Sequence, residues 1–434
     1  MASRNVGRRR ADRKGNRRKA LDIPHGHGHG HGHGHGDHVV DTSVVNSDAV
    51  VARRVRIVVA AVLIPLIIAS VVLLIVLWPG GGVKVQGYQT STARGQVTAL
   101  KKCPNPQDKC NLATVKLSNG PDKGKALPVQ VPTPGGTAIA VEVGQEVMLG
   151  VQEGAPLDQK YQYVDHDRTK PLLILAAIFA IAVVALSRWR GFAALVALAV
   201  TAVMLTKFIL PAILRGSSPL LVAVVGGAVI MTIAVFLTHG INAESAIALA
   251  GTIAALGLTV LLGWFFTQFS QLSGLAAEGA SGAQSFAPHL DLPGLLTAGI
   301  VIGALGVLDD VTVTQAAAVW ELSAANPAAS RRELMAAGLR IGRTHVASVV
   351  NTLVLAYAGA AMPVLLVFAI QDLPMLSVIS TEAVAMEVVR GLVGSLGIIA
   401  AVPLTTALAA MAVAERSRDL VATPEPVTSS ATSS

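Results

Sequence analysis

A chain of 434 residues that is 52% hydrophobic and only 14% charged, with a mean hydropathy of +0.59, lies outside the soluble range of about 45–50% apolar and about 25% charged residues. The formal net charge of +8 does not mark a nucleic-acid binder. Much of it sits in one local run, Arg4, Arg8, Arg9, Arg10, Arg13, Lys14, Arg17, Arg18 and Lys19, with no aromatic or base-reading element beside it.

Residues 1–55 are poor in bulky apolar side chains and cannot bury enough surface to offset the entropy of ordering, so a disordered cytoplasmic tail is expected there. Within it His25, His27, His29, His31, His33, His35 and His38 alternate largely with glycine. Such imidazoles can wrap adventitious Zn, Ni or Cu, and a low-complexity expansion in a tolerant tail would have the same sequence. No resident cofactor is expected.

Residues 56–78 hold the first expected transmembrane helix. Ile57 to Leu77 is an uninterrupted apolar run, preceded by Arg53, Arg54 and Arg56 and closed by Trp78 and Pro79. Its length matches the roughly 20 residues that a helix needs to cross the hydrocarbon core, and the arginines place its N-terminus in the cytoplasm. The run begins too far along the chain for a cleavable signal peptide, so it should remain as a signal anchor.

Residues 83–167 change texture. Short alternating runs such as GQVTALKKC, NLATVKL and KALPVQV are separated by Pro, Gly, Asn and Asp, which predicts a small extracytoplasmic all-β module. Cys103 and Cys110 flank a strand-to-strand loop in it and read as a disulfide staple or as two free thiols.

Residues 171–413 are expected to form a seven-helix membrane domain. Apolar runs recur at Leu172–Leu186, Phe192–Ile213, Leu220–Leu237, Ala246–Phe266, Leu295–Leu308, Ala347–Ile370 and Leu392–Val413. With the first span this makes an all-α bundle of about eight transmembrane helices. Alternation from an inside N-terminus puts Arg188, Arg190, His239, Arg331, Arg332, Arg340, Arg343, Arg416 and Arg418 in the cytoplasm. Both termini are then cytoplasmic, residues 414–434 forming a second disordered tail, in a bacterial cytoplasmic (inner) membrane.

The stretch GALGVLDDVTVTQAAAVWEL carries two adjacent acids on a membrane-length apolar run. Ionisable residues inside a membrane face a cavity or a partner because lipid solvates them poorly. On a continuous helix Asp310, Thr314, Ala317 and Glu321 share a face. One reading is an ion or proton site formed by Asp309 and Asp310 with Thr312, Thr314 or Gln315. The other makes Asp309 and Asp310 the end of one helix and the cap of the next at the cytoplasmic interface. Asn351 falls inside a later span, where an amide joins helices or contacts a solute. Glu387 and Arg390, one turn apart, read as a local ion pair.

No Walker glycine loop, HExxH, GxSxG or Cys-x-x-Cys is present, and no enzyme is expected. The reading of the residues is a secondary transporter or permease-like protein for a small solute or ion. The alternative is a membrane-anchored envelope scaffold whose β module binds a protein partner without transport.

YVDHDRTKPLLIL, LGVLDDVTVTQAAAVWEL, RIGRTHVASVVNTLVLAYAGA and EVVRGLVGSLGIIAAVPLTTALAA together resemble the YibE/F family of bacterial multi-pass membrane proteins, over about Val83 to Val413. The form with His345 is similar to the actinobacterial branch, with Thr344 where that branch would have Asp. The resemblance implies a cytoplasmic membrane location and no assigned activity. It brings no catalytic residues and does not include the His-Gly tract.

Overall fold

The computed structural model describes residues 42–80, 91–103, 110–132, 140–152, 154–157, 159–371 and 373–413, with side chains from residue 53 onward. The His-Gly tract and both expected tails lie outside them. The first helix, α1 (Thr42–Leu77), is followed by five strands: β1 (Ser91–Lys102), β2 (Cys110–Leu117), β3 (Ala126–Pro132), β4 (Glu146–Val151) and β5 (Tyr161–His166). Helices make up nearly all the rest.

The strands form one antiparallel sheet in the order β3-β2-β1-β4-β5. Side chains alternate across a strand, and along β1 and β3 buried and exposed residues alternate accordingly. The inward set, including Val97, Val115, Val129, Val131, Val147 and Leu149, forms a closed apolar core. The sheet curls until β3 comes near β5. A register shift between Val97 and Ala99 helps that curl, because a bulge increases local twist. Cys103 and Cys110 are joined as a disulfide across the β1–β2 connection.

One polar cluster pins the far side of the module. Asp122 accepts from Lys125 at 2.8 Å, Lys160 at 2.7 Å and the Tyr161 hydroxyl at 2.8 Å. These donors hold the Asp122 carboxyl well below the usual carboxylate range. Burial and the neighbouring Asp122 push the Tyr161 hydroxyl up to about 12.

Beyond the sheet run α2 (Thr169–Val203), a π-helical turn (Met204–Ile209), α3 (Leu210–Leu214), α4 (Pro219–His239), α5 (Ala243–Phe269), the short α6 (Ala280–Phe286), α7 (Leu292–Ala325), α8 (Arg331–Ala360), α9 (Met362–Ile370), α10 (Met375–Ser380) and α11 (Glu382–Val413). Among the described residues six helical stretches are long and apolar enough to cross a membrane, and α8 with α9, bent by 58°, qualifies as a seventh. One of the six, Thr169–Leu214, has 46 residues, roughly 70 Å at 1.5 Å per residue and more than twice a bilayer core. Its regular geometry is interrupted at Arg188, with φ 52° and ψ −125°. The expected runs Leu172–Leu186 and Phe192–Ile213 fall on either side of that break.

Two other helices depart from the sequence expectation. The run Leu295–Leu308 is part of a 34-residue helix, α7, that passes through Asp309 and Asp310 unbroken. A helix end and cap at the acid pair is therefore excluded. The local reason is that no Gly or Pro follows the pair, and the flanking threonines bond back to the helix. Thr312 donates to the Asp309 carbonyl at 3.2 Å and Thr314 to the Asp310 carbonyl at 2.6 Å. The helix start is set instead by Asp291, which accepts from the Gly294 amide at 2.9 Å. The run Ala347–Ile370 is likewise divided: α8 begins sixteen residues earlier, at Arg331, on a Ser330–Glu333 capping box, and the chain bends beyond Ala360, where Pro363 opens α9.

Helices α5, α7, α8 and α11 form the centre of the bundle. Thr252 and Thr312 hydroxyls lie 2.5 Å apart and Thr297 donates to Thr267 at 3.2 Å, so α5 and α7 are antiparallel. Gly338 and Gly342 of α8 pack against Thr406 and Val402 of α11, while Gly391 and Gly394 of α11 pack against Tyr357 and Leu353 of α8. Without a hydrophobic effect in lipid, helices associate through close van der Waals packing, and small residues permit it. A Cβ at Gly251 would collide with the Thr405 side chain, whereas one at Gly257 would meet nothing within 4 Å. Gly251→Val should therefore overpack the α5–α11 contact by about 1–3 kcal/mol and lower the detergent-solubilised midpoint of thermal unfolding by several degrees. Gly257→Val should leave it unchanged; equal midpoints for the two variants would contradict this packing.

Candidate functional site

The acid pair occupies the middle of α7. The Thr252–Thr312 contact lies one turn away and fixes its position against α5. At 1.5 Å per residue the pair sits roughly 18 Å from the Ala243 end of α5 and about 20 Å from the Phe269 end. Adjacent helix positions point about 100° apart, so the two carboxylates face different surroundings. The Oδ1 atom of Asp309 is buried and makes no hydrogen bond to the described residues. The Asp310 side chain is 66% exposed, with Oδ2 3.9 Å from Nε2 of His345 on α8. That separation is beyond a direct hydrogen bond.

His345 was not expected beside the acid pair. The turn between α7 and α8, at residues 326–330, lies about midway between Asp310 and His345 in sequence. An antiparallel helical hairpin must therefore bring the two level. The signal was readable once α7 is recognised as unbroken.

The other expected site residues separate. Thr312 is fully buried and turned toward α5. Gln315 is buried, and its amide donates to the Gly338 carbonyl and the Thr406 hydroxyl, both at 2.8 Å. It braces α7, α8 and α11 together, so its amide is occupied by helix contacts. Thr314 shares the exposed face of Asp310, as Ala317 and Glu321 do at greater distance. Glu321 is about 16 Å further along α7 by helix rise, too far to act with the pair. Asn351 is exposed on α8, roughly 9 Å along from His345.

A second polar group lies along the same α7–α8 seam. The Tyr357 hydroxyl rests on Gly303, two turns of α7 from Asp310. The Arg390 guanidinium stands 5.8 Å from the Tyr357 ring centroid and donates to both Glu387 carboxylate oxygens at 3.0 and 3.2 Å. A cavity of about 280 Å³ opens beside them, lined by Tyr357, Ala361, Leu365 and Glu387. It adjoins the bend between α8 and α9. Nearby, Glu382 accepts from Ser273 at 2.8 Å and from the Gly274 amide at 2.6 Å, tying the start of α11 to the end of α5.

Among the described residues no group of three His, Cys, Asp or Glu side chains is placed to hold a metal ion. Carboxylates, an imidazole and an aromatic–guanidinium pair thus follow one another along the seam, groups that inside a membrane face a cavity or a partner.

No curated protein and no solved structure matches the chain. The model of the family described as YibE/F-like protein matches residues 175–415. The match begins after the β module, so the resemblance expected from Val83 onward holds for the helical part alone. Because it covers more than half of the chain, and contains Asp309, Asp310, His345, Tyr357 and Arg390, the chain belongs to the YibE/F-like family.

Proposed function

We propose that this membrane protein is a secondary transporter or permease-like protein for a small solute or ion, working through proton or cation exchange at Asp309, Asp310 and His345. The observation that carries the reading is the position of the acid pair: midway along an unbroken helix at the centre of an apolar bundle. An Asp at the centre of a membrane helix costs about 2.5–3.5 kcal/mol on insertion scales, which favours a polar route over a lipid-facing or purely structural role. Bending between α8 and α9 beside Tyr357 and the Arg390–Glu387 pair offers the outer gate. No enzymatic role is proposed.

The reading includes a topology of eight crossings. The break at Arg188 divides Thr169–Leu214 into two, and α8 with α9 makes one bent crossing. Arg56 donates to the Ala412 carbonyl at 2.9 Å, so the start of α1 and the end of α11 share one end of the bundle. With Arg53, Arg54, Arg331 and Arg332 that end is cytoplasmic by the positive-inside rule, and the β module lies outside the cytoplasmic membrane. Alkaline phosphatase fused after Asp167 should be active and a fluorescent protein fused after Val413 should fluoresce. An inactive phosphatase at the first site would reverse the topology.

The transport reading is tested in proteoliposomes containing a trapped pH dye. An imposed proton gradient should dissipate through the native chain at least tenfold faster than through Asp309→Asn or Asp310→Asn, with His345→Gln in between. Equal rates in the native and the two Asn variants would remove the carboxylates from the mechanism.

One observation favours the scaffold reading. Where the curled sheet brings β3 near β5, a cavity of about 560 Å³ is lined by Gln130, Gln152, Gln159 and Gln162 beside Tyr161 and Tyr163. Amides both donate and accept, which suits an extended peptide backbone lying along the gap. A photocrosslinking side chain at Gln130 or Gln162 should then give one discrete protein adduct in whole cells. A diffuse smear equal to that from exposed Lys116 would dismiss the scaffold.

A further inference from the structure

Two helix faces at the level of the acid pair carry polar groups that stay exposed, although Tyr357 rests on Gly303 and His345 approaches Asp310 along one edge. On α7 the exposed face runs through Gly303, Gly306, Asp310 and Thr314; on α8 it runs through Arg340, Thr344 and Asn351. At this depth a bilayer offers only hydrocarbon, which cannot satisfy a carboxylate, a guanidinium or an amide. We infer that a second copy of this chain covers these faces, α7 of each copy lying against α8 of the other across a two-fold axis along the membrane normal.

Charge selects this occupant. The exposed α7 face is acidic, with Asp310 and, about three turns further, Glu321; the exposed α8 face is basic, with Arg340. The Gln315–Gly338 bond and the Asp310–His345 approach set the two helices in register, which places Arg340 between Asp310 and Glu321 in depth. A two-fold rotation about the membrane normal preserves depth, so it presents the partner's cation to this chain's acids twice over, and the surface is complementary to itself. Gly306 has nothing within 4 Å of its would-be Cβ, leaving room for a helix backbone to come close. The exposed segment of the same chain in residues 171–186 is apolar throughout, with Leu172, Leu173, Ile174, Leu175 and Ile178 facing outward, and offers no donor to a carboxylate. The acid site is thus completed by the partner copy, which supplies the counter-charge to Asp310. The inference shares with the transport reading only the placement of α7 and α8 in the membrane.

The test uses the full chain in native membranes. Two differently tagged forms, one with Gly306→Cys and one with Asn351→Cys, are co-expressed and oxidised with copper phenanthroline. The native Cys103–Cys110 pair is already closed within each copy. A mixed-tag disulfide dimer should form at least tenfold more than from a control pair of Leu173→Cys with Asn351→Cys. In nanodiscs the native chain should weigh twice its protomer mass, Asp310→Arg or Arg340→Asp alone should shift it toward the monomer, and the two together should restore the dimer. Cross-linking equal to the control, or a single-protomer mass for the native chain, would overturn the inference. A mixed dimer with proton flux indifferent to Asp309→Asn would retain this interface and discard transport.

Discussion

Close approach of α5, α7, α8 and α11 through glycine and threonine is the interaction on which the rest of the structure depends. Lipid is as apolar as the side chains themselves, so these helices gain little by hiding leucine from their surroundings. They gain by contact. Gly251 against Thr405, Gly397 against Thr259 and Gly338 against Thr406 set the backbones near one another. Several buried threonines also satisfy themselves within their own helices, Thr252 on the Ala248 carbonyl, Thr259 on Ala255 and Thr406 on Val402. Polarity in this core therefore does not signal a site by itself. Thr252, Thr259 and Thr406 are buried and polar without being available to a ligand.

That distinction separates Asp309 from its neighbours. Each buried hydroxyl and amide along α7 has a partner: Thr297 with Thr267, Thr312 with Thr252, Gln315 with Gly338 and Thr406. Asp309 interrupts the series with a buried oxygen that has none among the described residues. A folded protein rarely leaves a buried polar atom unpaired without a functional or solvent-related reason. The same helix is thus braced on both sides of the acids and left unpartnered, among the described residues, at Asp309.

Much of the architecture was legible in the sequence because membrane crossing leaves a coarse signal. Every expected apolar run is helical, though Ala347–Ile370 is divided between α8 and α9, and alternation from Ser91 onward marks a sheet whose strands the structure shows. The misreading at Leu308 has a specific cause. Hydropathy drops at Asp309 and Asp310, so a window of apolar residues ends there, but a drop in hydropathy is not a helix stop. Stops need a glycine in the left-handed region, a proline or a cap. None occurs until the segment Asn326–Ser330, and the helix continues for more than four further turns. Gln315 adds what only the folded chain shows: its amide nitrogen donates to the Gly338 carbonyl and the Thr406 hydroxyl. The proximity of His345 to Asp310 is tertiary, yet it follows from the length of α7 alone once the turn is placed correctly.

The hairpin of α7 and α8 unites these features. Its two arms lie antiparallel about the 326–330 turn, so residues equidistant from that turn meet, and the meeting pairs change character along the seam. Near the turn lie Arg331, Arg332 and Glu333 with Glu321 opposite; further along lie Asp310 and His345; beyond them Tyr357 rests on Gly303, and α8 then bends into α9. Charge gives way to titratable groups and these to an aromatic ring beside an apolar cavity. α11, running parallel to α7, closes one side of the hairpin along its whole length, and α5 closes another. The seam is thus graded along its length, braced from behind by α5 and α11 and open in front, and it ends at α9, whose nine residues include none that is buried.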